Sequence, residues 1–378
     1  MTGTSPFALP APGLRIRPGA PALRRPTAEE IEAFPREAAE LLQRTWSVQK
    51  RIEQEGRVRL DWVQGKHFLL AGATGAGLGG ALAVVLLHLL GDSGSLTVIG
   101  RDLSRSLGHE TGRGMKSLAD ELGHGHRFHW LNTGLALEGG RLEEILAALR
   151  EAGASRVIYV NTVAAASCGL LPGQPPVYVK DVDAEGIFQW ELLPLDERSI
   201  EATRFVMGGM AVAFPRALEG MGVQVEASAF ADWRGSLDLS SRDPASPAYG
   251  RQGAYSTSLY LPKEILQEET ASAYGTGRVV IDVFFPVMNT RALGMIPGGV
   301  AMYHLYGKLL AREGLRQPQT EELALGMLER IGRAVSGEDD NPFPRLDGHE
   351  AALDLHFLEV VKRLNTDEDS DFYYQRWL

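Results

Sequence analysis

Residues 67–80, HFLLAGATGAGLGG, constrain this chain more than any other stretch. A short apolar run of strand length meets a cluster of glycines and continues as the apolar helical segment 78–90. A chain that turns so tightly from strand into helix must lay the helix back across a sheet. The pattern then recurs. GSLTVIGRD, RFHWLNT and RVIYVNTVAAAS read as further strands, separated by the helical segments GRGMKSLADELGHG and GRLEEILAALREAG. Near-continuous apolar strands alternating with helices require a parallel sheet covered on both faces. The expected fold class is therefore α/β, a doubly wound parallel sheet of Rossmann type with large helical additions.

A second series follows. Residues 198–222 read as helical, VQVEASAF as a strand, KEILQEETASAY as a helix and GRVVIDVFFPVMNT as a strong strand. Two helices, 298–314 and 319–335, come next. The segment EDDNPFPRLDGHEA reads as a loop, and a helical end leads to the acidic NTDEDSD. Residues 1–26, rich in proline and arginine, are expected to form a flexible N-terminal arm. Thr27 and Glu30 then suit a capping box at the start of a helix. Residues 27–378 are expected to form one large domain, with no internal repeat.

Charge and cysteine content narrow the functional classes. The formal net charge is -10, which argues against a nucleic-acid partner, since phosphate binding needs a basic surface. Cys168 is the single cysteine; set among small residues, it reads as a buried thiol and rules out a multi-cysteine metal site. No His/Cys/Asp cluster has metal-ligand spacing, so no metal is expected. The apolar run 81–91 is too short to span a bilayer. The chain starts without the apolar core of a secretory signal, and the expectation is a cytoplasmic protein with no membrane partner.

The glycine loop implies a nucleotide. Gly72, Gly75 and Gly77 permit a tight turn and close backbone approach, Thr74 lies among them, and the helix opening at Leu78 offers free N–H groups to a pyrophosphate. At the end of the second strand, where a dinucleotide fold meets the adenosine ribose, stand Arg101, Asp102 and Ser104. Arginine and a hydroxyl suit a 2′-phosphate and favour NADPH, whereas Asp102 leaves room for NADH. Asn132 follows the third strand near the adenine edge. Asn161 and Thr162 follow the fourth, beside the ribose and nicotinamide.

Several segments in this order resemble one family, the trans-2-enoyl-CoA reductases and FabV-type enoyl-ACP reductases, large relatives of the short-chain dehydrogenases. They are GATGAGLGG, VIYVNTVAAAS, EATRFVMGGMA, VVIDVFFPVMNTRALGMIPGGVAMYHLYGKLL and FPRLDGHEA. The resemblance runs from about residue 35 to 365. It implies a reduced nicotinamide cofactor, hydride delivery to the β-carbon of an enoyl thioester carried on CoA or acyl carrier protein, and Thr290 and Ile296 lining the nicotinamide and substrate mouth. Ala71 stands where the family's first glycine tends to lie.

The resemblance also implies a proton-donating tyrosine with a lysine nine positions on, and a second tyrosine at the preceding strand end. Here the strand end is EASAFADW, with Phe230 in place of that second tyrosine. Tyr249 is the best positional match to the donor, but nine residues on stands Ser258. Tyr255, eight residues before Lys263, is the alternative pairing. Packing aromatics on a helix and a solvated lysine would account for the same residues. Three functions therefore stay open: an enoyl-thioester reductase, a reductase of another C=O or C=N substrate, and a nucleotide-binding protein without catalysis. Monomer and homodimer both fit.

Overall fold

The computed structural model describes residues 50, 60–73, 77–100, 105–131, 140–163, 178–182, 188–192, 205–232, 265–286, 288, 310–311 and 314–346. The expected N-terminal arm, Cys168 and the C-terminal helical end lie outside them. The first four strands fall where the apolar runs put them: β1 (His67–Ala71), β2 (Ser95–Ile99), β3 (Phe128–Leu131) and β4 (Arg156–Asn161). Between them lie α1 (Leu78–Leu89), α2 (Arg105–Glu121) and α3 (Arg141–Glu151). Helix α2 starts seven residues before the expected GRGMKSLADELGHG segment, because its amphipathic face outweighs the helix-weakening Gly108, Gly112 and Gly114.

After β4 comes a separate antiparallel hairpin, β5 (Tyr178–Val182) with β6 (Phe188–Leu192). Nothing in the sequence reading anticipated it. Helix α4 spans 205–220, with a π-helical turn at Gly209–Ala213 before its α-helical end Phe214–Gly220. Strand β7 (Gln224–Asp232) runs two residues past the expected VQVEASAF, and helix α5 (265–273) leads into β8 (Val279–Phe284). Helix α6 (Thr320–Ser336) opens with a capping box between Gln319 and Glu322.

The six-stranded sheet has the order β3-β2-β1-β4-β7-β8 with every pair parallel, as a doubly wound α/β fold requires. Its two faces carry separate cores. Phe68, Leu70, Leu96, Val98, Ile158, Val160, Ile281 and Val283 pack under α1, α2 and α6. Leu69, Ala71, Ile99, Tyr159, Phe230 and Val280 pack under α3, α4 and α5.

The loop expected at 338–351 is partly a sheet edge. Asp282 N–H and Phe284 N–H donate to the Pro342 and Pro344 carbonyls, and Leu346 N–H returns to the Phe284 carbonyl. The outward Phe343 N–H is taken by the Asn341 side chain at 3.0 Å, which blunts this edge against further pairing.

Candidate cofactor site at the carboxyl ends of the strands

Strand order reverses around β1, which lies between β2 and β4. In a doubly wound sheet the ligand crevice opens at that point, beyond the carboxyl ends of the strands. The backbone ladder continues there: Gly72 N–H donates to the Ile99 carbonyl, Gly100 N–H to that of Leu131 and Thr162 N–H to that of Ala71. The Thr162 hydroxyl adds a bond to the Ala71 carbonyl at 2.9 Å.

This crossing explains the glycines. Gly72 has φ +100°, a left-handed conformation, and a Cβ there would lie 2.8 Å from the Thr162 backbone and side chain. Gly77 is the extended residue before α1 and provides no side-chain cap, so the first N–H groups of the helix are available to an anion. Leu78 is buried beneath them. Gly79 was not singled out from the sequence, yet it is more tightly enclosed than Gly72. A Cβ there would lie 2.5 Å from Thr162 Oγ1 and 2.9 Å from Ala73 Cα. The signal was present as the second glycine of GLGG, since close packing of helix on strand needs a residue without Cβ.

Asn161 closes the crevice from β4. It is 2% exposed. Its Oδ1 accepts from Val163 N–H at 2.9 Å, while its Nδ2 has no hydrogen-bond partner. A buried donor left without an acceptor is costly and fits a site that a ligand completes. The bare glycine cradle, the uncapped helix start and the open Asn161 donor together suit a pyrophosphate and an adjoining polar group, as a nicotinamide dinucleotide offers.

One row of residues crosses the sheet here in register: Leu131, Ile99, Ala71, Asn161, Phe230 and Asp282. Phe230, the strand-end residue that the sequence reading set in place of a tyrosine, is fully buried against the α3–α4–α5 side. Asp232 stands two residues further along β7, and both Asp232 and Asp282 are 0% exposed.

Helices α4 and α5 are pinned to that side. Tyr159 of β4 donates its hydroxyl to the Met210 carbonyl at 2.8 Å, inside the π-turn, and its ring meets Phe214 at 5.3 Å. Burial pushes the Tyr159 hydroxyl well above its usual titration range. Ile265 sits over Gly208, where a Cβ would be 2.7 Å from Ile265 Cδ1. Glu269, 5% exposed, joins Arg216 at 3.0 Å and Arg278 at 2.9 Å.

Of the residues expected at the site, Gly72, Gly77, Leu78, Asn161 and Thr162 are described, and Gly72 and Thr162 meet directly. Thr74, Gly75, Arg101, Asp102, Ser104, Asn132, Thr290 and Ile296 lie outside the described residues, as do Tyr249, Tyr255 and Lys263. Among the described residues, no group of three His, Cys, Asp or Glu side chains is placed to hold a metal, and no helix is long and apolar enough to cross a membrane.

No protein-family model matches the chain, and no curated protein matches it in sequence. Solved structures do. The trans-2-enoyl-CoA reductase of Treponema denticola, in complex with NAD, superposes with a TM-score of 0.61 at 15% identity, over 89% of this chain and 86% of that one. The Clostridium acetobutulicum trans-2-enoyl-CoA reductase in complex with NAD gives 0.59 at 14% identity, over 92% and 90%. FabI from Candidatus Liberibacter asiaticus gives 0.50 at 12% identity, over 76% and 96%. The chain shares the Rossmann-type fold of these reductases along most of its length.

Proposed function

We propose that the protein is a NAD(P)H-dependent reductase that reduces the conjugated C=C of an acyl thioester carried on CoA or acyl carrier protein. The carrying observation is the junction of Gly72, Gly79 and Thr162 beside the open Asn161 donor, at the reversal point of the sheet. The names of the similar structures, enoyl reductases among them with NAD bound, support the substrate class.

When bound, the nicotinamide supplies the hydride. The Gly72–Gly77 loop, with Thr74 and Gly75, and the start of α1 at Leu78 hold the pyrophosphate. Arg101 and Ser104 take a 2′-phosphate, which makes NADPH the preferred form; Asp102 is the residue through which NADH would bind. Asn132 meets the adenine edge, Asn161 and Thr162 orient the nicotinamide half, and Thr290 and Ile296 line its mouth. Tyr249 delivers the proton, or Tyr255 does so with Lys263 lowering its pKa, since a free tyrosine near 10 is a poor acid at neutral pH.

Titrating the protein with NADPH and NADH, then following 340 nm absorbance with crotonyl-CoA and longer enoyl thioesters, tests the reading. Tight cofactor binding with no turnover on any thioester sinks the substrate assignment. A Tyr249→Phe variant that keeps the wild-type rate, alongside a Tyr255→Phe variant that loses it, assigns the proton to Tyr255.

A further inference from the structure

Helix α4 contains a proline that its own hydrogen-bond ladder must work around. Regular α-helical closure would set the Pro215 ring against the Ala211 carbonyl, four residues back. The helix instead widens at Gly209–Ala213, and Phe214 N–H reaches the Gly209 carbonyl, five residues back. The Met210 carbonyl is thereby left without a donor along the helix. Its α-helical donor, Phe214 N–H, goes to Gly209. Its π-helical donor would be residue 215, which as proline has no N–H. The missing donor comes from the sheet: the Tyr159 hydroxyl of β4 donates to the Met210 carbonyl at 2.8 Å. Tyr159 is 0% and Met210 2% exposed, so solvent replaces neither end of that bond.

The wide turn lies just below the crevice. Strands β4 and β7 are parallel neighbours that start together, Arg156 opposite Gln224. Helix α4 ends at Gly220, shortly before β7. It therefore enters at the carboxyl ends of the strands and runs back toward their amino ends. From Tyr159, Asn161 lies about 6.6 Å further along β4 and on the same face. From Met210, Val206 and Met207 lie about 5–6 Å along α4 in the same direction. The first turns of α4 are thus level with Asn161, and Met207 is buried in one cluster with Val163 and Ala71. Helix α3 packs on β2 and β3, whereas α4 packs on β4 and β7. The part of the crevice that α4 borders is therefore the half away from the adenosine side at β2.

We infer that Tyr159 is a positioning residue for the nicotinamide half of the cofactor: its hydroxyl stands in for the N–H that Pro215 lacks and so holds the opening of α4 in place beside Asn161. The inference rests on the reading of the crevice as a nicotinamide site. With the hydroxyl removed, the Met210 carbonyl is left buried without a donor, or the turn closes by one residue and rotates the opening of α4 by about 100°. Either change displaces the wall beside Asn161, and a ligand is oriented only as closely as the residues that support its site. The Gly72–Gly79–Thr162 junction is built from β1, α1 and the end of β4, so the pyrophosphate end keeps its shape.

Calorimetric titration with NADPH and NADH, and with ADP and 2′-phospho-AMP as their adenosine ends, tests this without any substrate. Tyr159→Phe keeps the wild-type affinity for the adenosine fragments and binds the preferred dinucleotide roughly three- to tenfold more weakly. Gly208→Ala sets a methyl group against Ile265 Cδ1 and shifts the same turns of α4, so it shows the same selective loss. It also reads the inference where Tyr159→Phe does not fold. Equal weakening of fragments and dinucleotides in the folded variants, or unchanged dinucleotide affinity, overturns the inference while the cofactor assignment stands. A wild type that binds neither dinucleotide overturns both.

Discussion

Gly79 is the residue on which the crevice depends most sharply. Its missing Cβ is the space that Thr162 Oγ1 and the Gly72 carbonyl occupy, so a methyl group must push α1 away from β4. Gly79→Ala is expected to cost about 1–3 kcal/mol of stability and, on the proposed reading, to weaken binding of the nicotinamide dinucleotide at least about tenfold. Thermal unfolding with fluorescence titration measures both, and unchanged affinity in a folded variant would show that the cofactor sits elsewhere. Asn161 illustrates the limit of sequence reading at this scale. The residue type at a strand end suggested a polar contact, but only the structure shows its oxygen already used by Val163 N–H and its nitrogen left over.

Among the elements, α5 matters for what precedes it. The helix begins two residues after Lys263, and three features fix it: Ile265 over Gly208, Leu266 and Ala273 in the core, and Glu269 between Arg216 and Arg278. Both arginines are partly exposed, which reduces the worth of each pair, yet the carboxylate between them is buried. Glu269→Ala is expected to lower stability by about 1–3 kcal/mol, read as a shift in the urea midpoint; a midpoint that does not move would mean that apolar contacts alone hold the helix. The π-turn of α4 belongs to the same assembly, since it places the Met210 carbonyl where Tyr159 can reach it. Wide turns of this kind recur at functional sites, and the glycine-rich VMGGMAVA does not distinguish one from a regular helix.

The molecule as a whole has two chemically distinct ends. Opposite the crevice, at the amino ends of the strands, Arg127 donates to the Gly91 and Gly94 carbonyls and to His124 Nδ1, and His67 Nδ1 meets the Ser95 hydroxyl at 2.7 Å. Burial lowers the pKa of His67, His88 and His124 below 6.5; the Arg127 charge adds to this at His67 and His124, and His124 adds to it at His88. Nearby Asp92 opposes the shift at His124. In each case the unfolded chain takes up a proton at a higher pH than the native protein. Stability is therefore full above pH 6.5 and falls as the pH drops from 6.5 through the lower native values. Urea midpoints between pH 7.5 and 5 are expected to decline, and His124→Gln to flatten the decline. A flat wild-type profile would show that these rings titrate alike in both states.

Much of this architecture was legible beforehand because apolar runs of strand length and helical periods report burial directly. The four strands and helices around the glycine loop, the parallel sheet and its two covered faces followed from local pattern alone. The β5–β6 hairpin escaped because YVKDV and FQWEL carry charges that break an apolar run. The pairing of Pro342–Leu346 with β8 escaped because two prolines mark a loop in isolation, and only the neighbouring strand supplies the donors that make it an edge. The face of Phe230 was beyond reach for a similar reason. In EASAFAD small residues suit either side of a sheet, and the bulge at Glu226 exists only where β7 meets β4. The chain by itself determined a doubly wound sheet with a glycine cradle at its reversal point, since those features are written in local periodicity. Which buried polar groups stand around that cradle was decided by strand register, a property of pairs of strands and of neither one alone.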